Sequence, residues 1–401
     1  MQPNGQVVAD YVNKSIFSLF DDYYRIAYSH NEWVNTLFEQ FQGNIEEWIP
    51  RDQFYLFSSD SVIQDVFPRD KDISSVAWVR NTKIRDQGYS YSLYLSHLLS
   101  FLEKRQVAEY HSRFPLGLPT AHADNGFLLE YAVDELLTRL HSIPQPFLGY
   151  FHFLPPHHPY RPPIEYLDKF RGDNYRAIEK EHDVFATKQS DPVGSTRKLY
   201  DEFLLYADHE FGRLVDALEN SNALDNTWLV LTSDHGESFE RGIIGHITEA
   251  LYQPLIHVPL VIFEPGRTDR LDVHARTSVV DVIPTLAHLT GKNTPEWMHG
   301  SILPPYKDNV EERAMYAVRS YPENINSPLK EASVTLLKGR YKLHYYFGYP
   351  KLRSKEVIKL YDLEKDPEEL VDLKDVMPQV TKAFLDELKS DLAKEDAPYR
   401  K

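Results

Sequence analysis

The 401-residue chain contains no cysteine. A disulfide framework, a thiolate zinc site and a cysteine nucleophile are therefore excluded, while the compartment stays open. The chain also lacks any apolar run of about 18 residues or more, so no transmembrane helix is expected. Its first residues, "MQPNGQVVADYVNKS", have neither the basic nor the apolar region of a secretory leader. Positive charge is scarce: 44 Lys and Arg stand against 60 Asp and Glu, for a formal net charge of −16. That balance argues against nucleic acid or an anionic membrane surface as the main partner. An anionic substrate remains compatible where a metal and histidines make a site locally positive.

Aromatic residues are plentiful, with 26 Tyr, 21 Phe and 5 Trp, which argues against disorder over most of the length. The 42% hydrophobic and 26% charged content is that of an ordinary globular protein, and the length suits one large domain plus a smaller one. Residues 31–42 place Trp33, Leu37 and Phe41 on one helical face. "QFYLF" at 53–57 reads as a short strand, and 90–104 as an amphipathic helix through Leu93, Leu95, Leu98, Leu99 and Leu102. Residues 147–154, "FLGYFHFL", have the continuous apolar character of a strand buried on both faces, and "PPHHPYRPP" stops it. The polar stretch 161–195 reads as a long surface excursion.

The clearest helix spans 197–220, where Leu199, Phe203, Ala207, Phe211, Leu214 and Leu218 recur every three or four residues. A strand at 227–232 follows, then a loop, then a third buried strand within "HVPLVIFEPG". "SVVDVIPTLAHLTG", 278–291, predicts a helix with Ser278 as N-cap and Gly291 as its stop. This alternation predicts an α/β domain with a mostly parallel sheet and helices on both faces. After residue 305 the pattern changes to antiparallel strands, with a tight turn in "KGRYKL" and a closing helix from Pro378. The expected organisation is an α/β domain over 1–305 and a small α+β subdomain over 306–401.

The richest chemistry lies in "WLVLTSDHGESFERGIIGH", 228–246. An apolar strand ends abruptly in Asp234, His235 and Gly236, and ligands in open α/β sheets bind beyond such strand ends. A carboxylate and an imidazole side by side suit a divalent metal ion, and Gly236 permits a sharp exit. Taken singly, Asp234 reads as a helix cap and His235 as a loop histidine; together at a strand's end they read as metal ligands. His246 can fold back from the following loop, and His157 and His158 follow the 147–154 strand. Alone, His246 is a surface loop residue, and His157 and His158 belong to a rigid proline turn. His152 reads as a hydrogen-bonded core histidine, Glu237 as a supporting or helix-starting group, and Asp208 as a solvated or capping acid. His209, His257 and His274 read as structural.

These motifs resemble the sulfatase branch of the alkaline phosphatase superfamily over roughly residues 85–370. "LVLTSDHGE" looks like that family's second metal-binding strand end. "GHITEALYQPLIHVPLVIFEPG" is similar to its next segment, with His246, Tyr252 and Pro265-Gly266. "FHFLPPHHPY" resembles its Asp-Pro-His-x-Pro-Tyr segment and places His157 on the substrate side. "VVDVIPTLAHLTG", with Asp281, Pro284 and Thr285, and "LYDLEKDPEEL", 360–370, resemble two further signatures. The resemblance implies an alkaline phosphatase-like fold and a metal-dependent hydrolase of sulfate esters, acting on a small-molecule or glycan substrate. It implies Asp234 and His235 as metal ligands for Mn, Zn or Ca, and His157 and His246 as catalytic hydrogen-bond donors or proton carriers. The Asp–His pair leans toward relatives acting on phosphodiesters or phosphonates, or transferring phosphoryl groups, which is the alternative reading.

The chain also departs from the pattern. Family members open with a strand ending in paired Asp residues and then a nucleophile, Cys or Ser in C/S-x-P/A-x-R, or a Thr. "SSVAWVR" at 74–80 fails that pattern because Arg80 is one place too far. "YYRIAYSHNEWVNTLFEQF" resembles the unit that follows the nucleophile, so the expectation is a sequence missing an N-terminal segment, with a non-catalytic anion-binding relative as the second possibility. Ile247, Gln253, His257 and Pro155 stand where Gly, an acid, Arg and Asp are usual.

Overall fold

A computed structural model describes residues 11–56, 101–102, 104–121, 126–178, 180, 182, 185, 193–307, 313–320 and 328–397. Two compact units emerge, one of Ala9–Tyr175 with Gly194–Ser221 and one containing Arg176–Val193 and Asn222–Lys401.

The first unit is built on β1 (Tyr24–Ser29), followed by α1 (Glu32–Phe41), β2 (Glu47–Trp48), α2 (Leu129–Leu140), β3 (Phe147–His152) and α3 (Val193–Asn220). β1 lies between β2 and β3 and pairs with both in parallel. Alternation along β1 divides its side chains between two layers. Ala27 packs with Phe17 and Phe38 toward α1, and Ile26 and Tyr28 pack with Ala132 of α2 and Ile143. Helices therefore cover both faces of a parallel sheet.

Several elements depart from expectation for physical reasons. On α1 the buried stripe runs through Val34, Phe38 and Phe41, which leaves Trp33 59% exposed. Residues 51–54 form a 3-10 turn rather than a strand, and Tyr55 makes only an isolated bridge to Phe127. β3 is not buried on both faces: Gly149 and Tyr150 are exposed, and among the described residues β3 pairs on one side only. The stretch 161–195 is no simple excursion, since His182 and Phe185 are buried among Ile243, Tyr252 and Tyr346. The expected 90–104 helix and the "SSVAWVR" segment fall largely or wholly outside the described residues; Leu102, which is described, is exposed.

The second unit begins with β4 (Leu229–Thr232), then β5 (Ser238–Glu240), β6 (Ile243–Gly245), α4 (Gln253–Ile256), β7 (Leu260–Phe263) and α5 (Val282–Leu289). β4 and β7 pair antiparallel, from Leu229 opposite Phe263 to Thr232 opposite Leu260. Ser278 caps the turn before α5 in a capping box with Asp281. Asp281 is buried and accepts from Ser278 N at 2.9 Å and Ser301 N at 2.8 Å, while Arg313 meets both its oxygens at 2.6 and 2.5 Å. The residue that resembles a family signature is thus a clamp for the 278–301 segment.

The C-terminal subdomain is an antiparallel sheet of β8 (Met315–Ser320), β9 (Ala332–Lys338), β10 (Tyr341–Phe347) and β11 (Glu356–Asp362), in the order β11-β10-β9-β8. Gly339, at φ 54°, supplies the left-handed turn between β9 and β10. Leu343 and Tyr345 of β10 pack with Leu388 of α6 (Pro378–Asp396). The alternate residues Lys342, His344 and Tyr346 point to the opposite face, and all three are buried.

Two predictions follow from buried groups. Asp281→Ala strips Arg313 of its partner and two backbone donors of their acceptor, and should cost about 3 kcal/mol in urea unfolding. His30, fully buried and stacked on Phe127, has no hydrogen-bond partner for either ring nitrogen among the described residues. Burial, with His152 nearby, pushes its pKa down to about 3 from the ordinary 6.5. The unfolded chain therefore takes up a proton that the folded chain refuses, so stability falls as pH drops from 6.5 toward 3. His30→Phe should flatten the loss of unfolding free energy between pH 6.5 and 5, by up to about 1.4 kcal/mol per pH unit; an unchanged slope would contradict this.

Candidate active site

β4 delivers Asp234 and His235 just past its end. The Asp234 carboxylate accepts from His235 N at 3.0 Å, an arrangement that keeps it beside the ring. His235 Nδ1 lies 2.8 Å from Gly236 O. A carbonyl only accepts, so Nδ1 carries the proton and the lone pair sits on Nε2. Nε2 lies 3.7 Å from Asp234 Oδ2. An imidazole lone pair and a carboxylate thus share one neighbourhood, and both remain solvent-accessible, at 39% and 64% side-chain exposure.

Gly236 owes its identity to space rather than to turn conformation. A Cβ there would stand 2.0 Å from Pro254 O. The same approach lets Gly236 N donate to Leu255 O at 2.8 Å, seating the turn on α4.

A hairpin then brings the second histidine back. Arg241 and Gly242 both have positive φ, 55° and 69°, as a two-residue type I′ turn requires. The β5–β6 register pairs Ser238 with Gly245, so the next residues outward, Glu237 and His246, face each other. His246 Nδ1 lies 3.1 and 3.3 Å from the two Glu237 oxygens. The carboxylate accepts, so His246 also holds its Nδ1 proton and presents Nε2. Its ring stacks on His235 at 4.2 Å. Glu237 is nearly buried, with 4% of its side chain exposed, and its support of His246 becomes visible only through this register.

His157 belongs to the first unit, beyond β3, where it lines a small depression with Pro119, Thr120, Phe127 and Phe203. Its Nδ1 lies 2.6 Å from His158 O, so the lone pair is again on Nε2. His152 is bonded to Ser29 Oγ at 2.7 Å, and Asp208 is exposed on α3. Among the described residues, no cluster of three or more His, Asp or Glu side chains is arranged around one metal position. Asp234 and His235 have the donor chemistry for part of such a site: one hard oxygen and one neutral nitrogen.

Gly236→Ala should be far more damaging than an exposed glycine change, because the methyl group must displace backbone. The prediction is displaced His235 and His246 ring signals in 1H–13C NMR. Signals at wild-type positions in a folded variant would contradict it.

The Sulfatase family model matches residues 13–292, and the model for the C-terminal region of N-sulphoglucosamine sulphohydrolase matches residues 248–397. An uncharacterized sulfatase, YidJ, of Escherichia coli is 30% identical over 202 residues, covering 46% of this chain and 40% of its own. A choline-sulfatase of Rhizobium meliloti is 32% identical over 185 residues, covering 45% and 33%. The chain thus spans less than half the length of these relatives. The crystal structure of a phosphonate monoester hydrolase of Agrobacterium radiobacter superposes with a TM-score of 0.63 at 17% identity, covering 95% of this chain and 79% of the other. The fold is alkaline phosphatase-like, with a small C-terminal sheet subdomain. The family model covers well over half of the residues, so the chain belongs to the sulfatase family.

Proposed function

We propose that this protein hydrolyses sulfate esters of a small molecule or glycan, using a divalent metal ion held in part by Asp234 and His235. The observation that carries the proposal is the shared neighbourhood of the Asp234 carboxylate and His235 Nε2, fixed by the Nδ1 contact to Gly236 O. Family membership and the likeness to a choline-sulfatase support the substrate class. The mixed oxygen and nitrogen donor pair suits Mn, Zn or Ca. When bound, such an ion supplies Lewis-acid polarisation of an ester oxygen.

The chain's own residues do the remaining work assigned to them. Asp234 and His235 orient the anionic group through the charge they hold in place. Glu237 keeps the His246 ring oriented through Nδ1, which leaves Nε2 as the position that gives or takes a proton at an ester oxygen. His157, its ring oriented by the His158 carbonyl, is proposed as a further proton carrier, which takes a proton on Nε2 and in that protonated form donates from it.

The test is turnover of an aryl sulfate and a bis-aryl phosphate by the product of the whole reading frame, with Mn, Zn or Ca supplied. Sulfate ester hydrolysis should dominate, and Asp234→Ala should reduce it by about a hundredfold or more. Preference for the phosphate diester would replace this reading with the phosphoester one. Binding of inorganic sulfate without any turnover would replace it with a non-catalytic anion-binding protein.

A further inference from the structure

Behind α4 lies a buried charged group that the proposed chemistry does not use. Glu369 exposes 1% of its side chain, and Lys342 and His344 of β10 expose none. Glu369 Oε1 accepts from Lys342 Nζ at 2.9 Å and from His344 Nε2 at 2.7 Å. Its Oε2 accepts from the backbone N–H of Gln253 at 2.8 Å, the first residue of α4. Lys342 Nζ also reaches Gln253 Oε1 at 3.3 Å. Burial opposes ionisation of Glu369, but Lys342 and the bond from His344 outweigh it and hold the carboxyl down at about 2. Burial drives His344 down to about 4, so at neutral pH it is uncharged, donates through Nε2 and accepts on Nδ1 from Tyr346 OH at 2.9 Å.

Two further facts mark this group as more than charge balance. Glu369 has φ 54°, a left-handed conformation that non-glycine residues adopt only when their surroundings hold them there. Its contact with Gln253 leads through α4 to the site: Gln253 N is bound to Glu369, and Leu255 O is bound to Gly236 N. Two hydrogen bonds and four residues of backbone separate the buried carboxylate from the Asp234–His235 turn. Around the same segment, Arg241 lies over the Tyr252 ring at 4.3 Å, and His344 packs on that ring at 5.1 Å.

We infer that Glu369 is a positioning residue that fixes α4 as the backstop of Gly236, and so sets the separation of Asp234 and His235. The inference rests on the reading of Asp234 and His235 as metal ligands. It assigns a task to the C-terminal subdomain, whose "DPEEL" loop carries Glu369: that loop reaches across to hold the segment behind the site.

The experiment compares two variants by 1H–13C NMR of histidine rings at fixed pH, with Mn binding measured in parallel. The paired change Lys342→Met with Glu369→Leu removes both buried charges together, which avoids leaving an ammonium without its counter-charge. Gln253→Pro keeps both charges and removes the backbone donor to Glu369, together with the side-chain oxygen that Lys342 reaches; proline is tolerated at the first position of a helix. In folded variants the His235 and His246 signals should move while that of His288, on α5, stays put. Mn affinity should fall by about tenfold, the low end for loss of a group that supports ligands. If the paired variant fails to fold, Gln253→Pro decides. Folded protein with His235 and His246 at wild-type positions overturns the inference. Displaced signals together with a wild-type chain that binds no Mn leave the positioning intact and remove the metal reading instead.

Discussion

The approach of Gly236 to the Pro254 and Leu255 carbonyls is the contact on which the site depends. It is a backbone-on-backbone contact, with room for a hydrogen bond but none for a Cβ. Backbone contacts of this kind tolerate little variation, because neither side has a rotamer to move. The strand end that carries Asp234 and His235 is therefore only as well placed as α4 behind it. α4 is a single short turn of four residues and cannot hold its own position by helix formation. Its anchorage is borrowed from Tyr252, packed among rings and the Arg241 guanidinium, and from Glu369 at its first N–H.

A second regularity runs through the histidines. His157, His235 and His246 each bring Nδ1 to an oxygen acceptor: His158 O, Gly236 O and the Glu237 carboxylate. Each acceptor holds a proton on Nδ1, so the lone pair of each ring sits on Nε2. In a chain of net charge −16, an anionic substrate is attracted only locally. Under the proposed function, a metal ion held by Asp234 and His235 would supply that local positive charge.

Much of the architecture was legible in residue patterns. The helix at 197–220 and the Ser278 cap were readable because periodicity and capping are local. The turn at Gly339 was readable because few residues accept positive φ. The exposure of Trp33 was not, since a helix shows an apolar face without showing which part of it the sheet covers. The exposure of β3 was not legible for a related reason: an apolar run reports composition, while burial depends on how many neighbours a strand has. The site was half legible. Asp234, His235 and His246 are distinctive by type and position, whereas Gly236 suggests a turn by its type and only the fold shows that it admits the Pro254 carbonyl.

The sequence by itself determined which groups with metal-binding and proton-transfer chemistry the chain possesses, and that they follow the ends of strands. Those are properties of residue type and of local periodicity. Only the tertiary structure decided which ring nitrogen of each histidine faces outward, that Glu237 meets His246 across a hairpin, and that Glu369 stands behind the site from 134 positions beyond His235 along the chain. Those outcomes depend on strand register and on contacts between distant segments, and neither leaves a periodic trace in the order of residues.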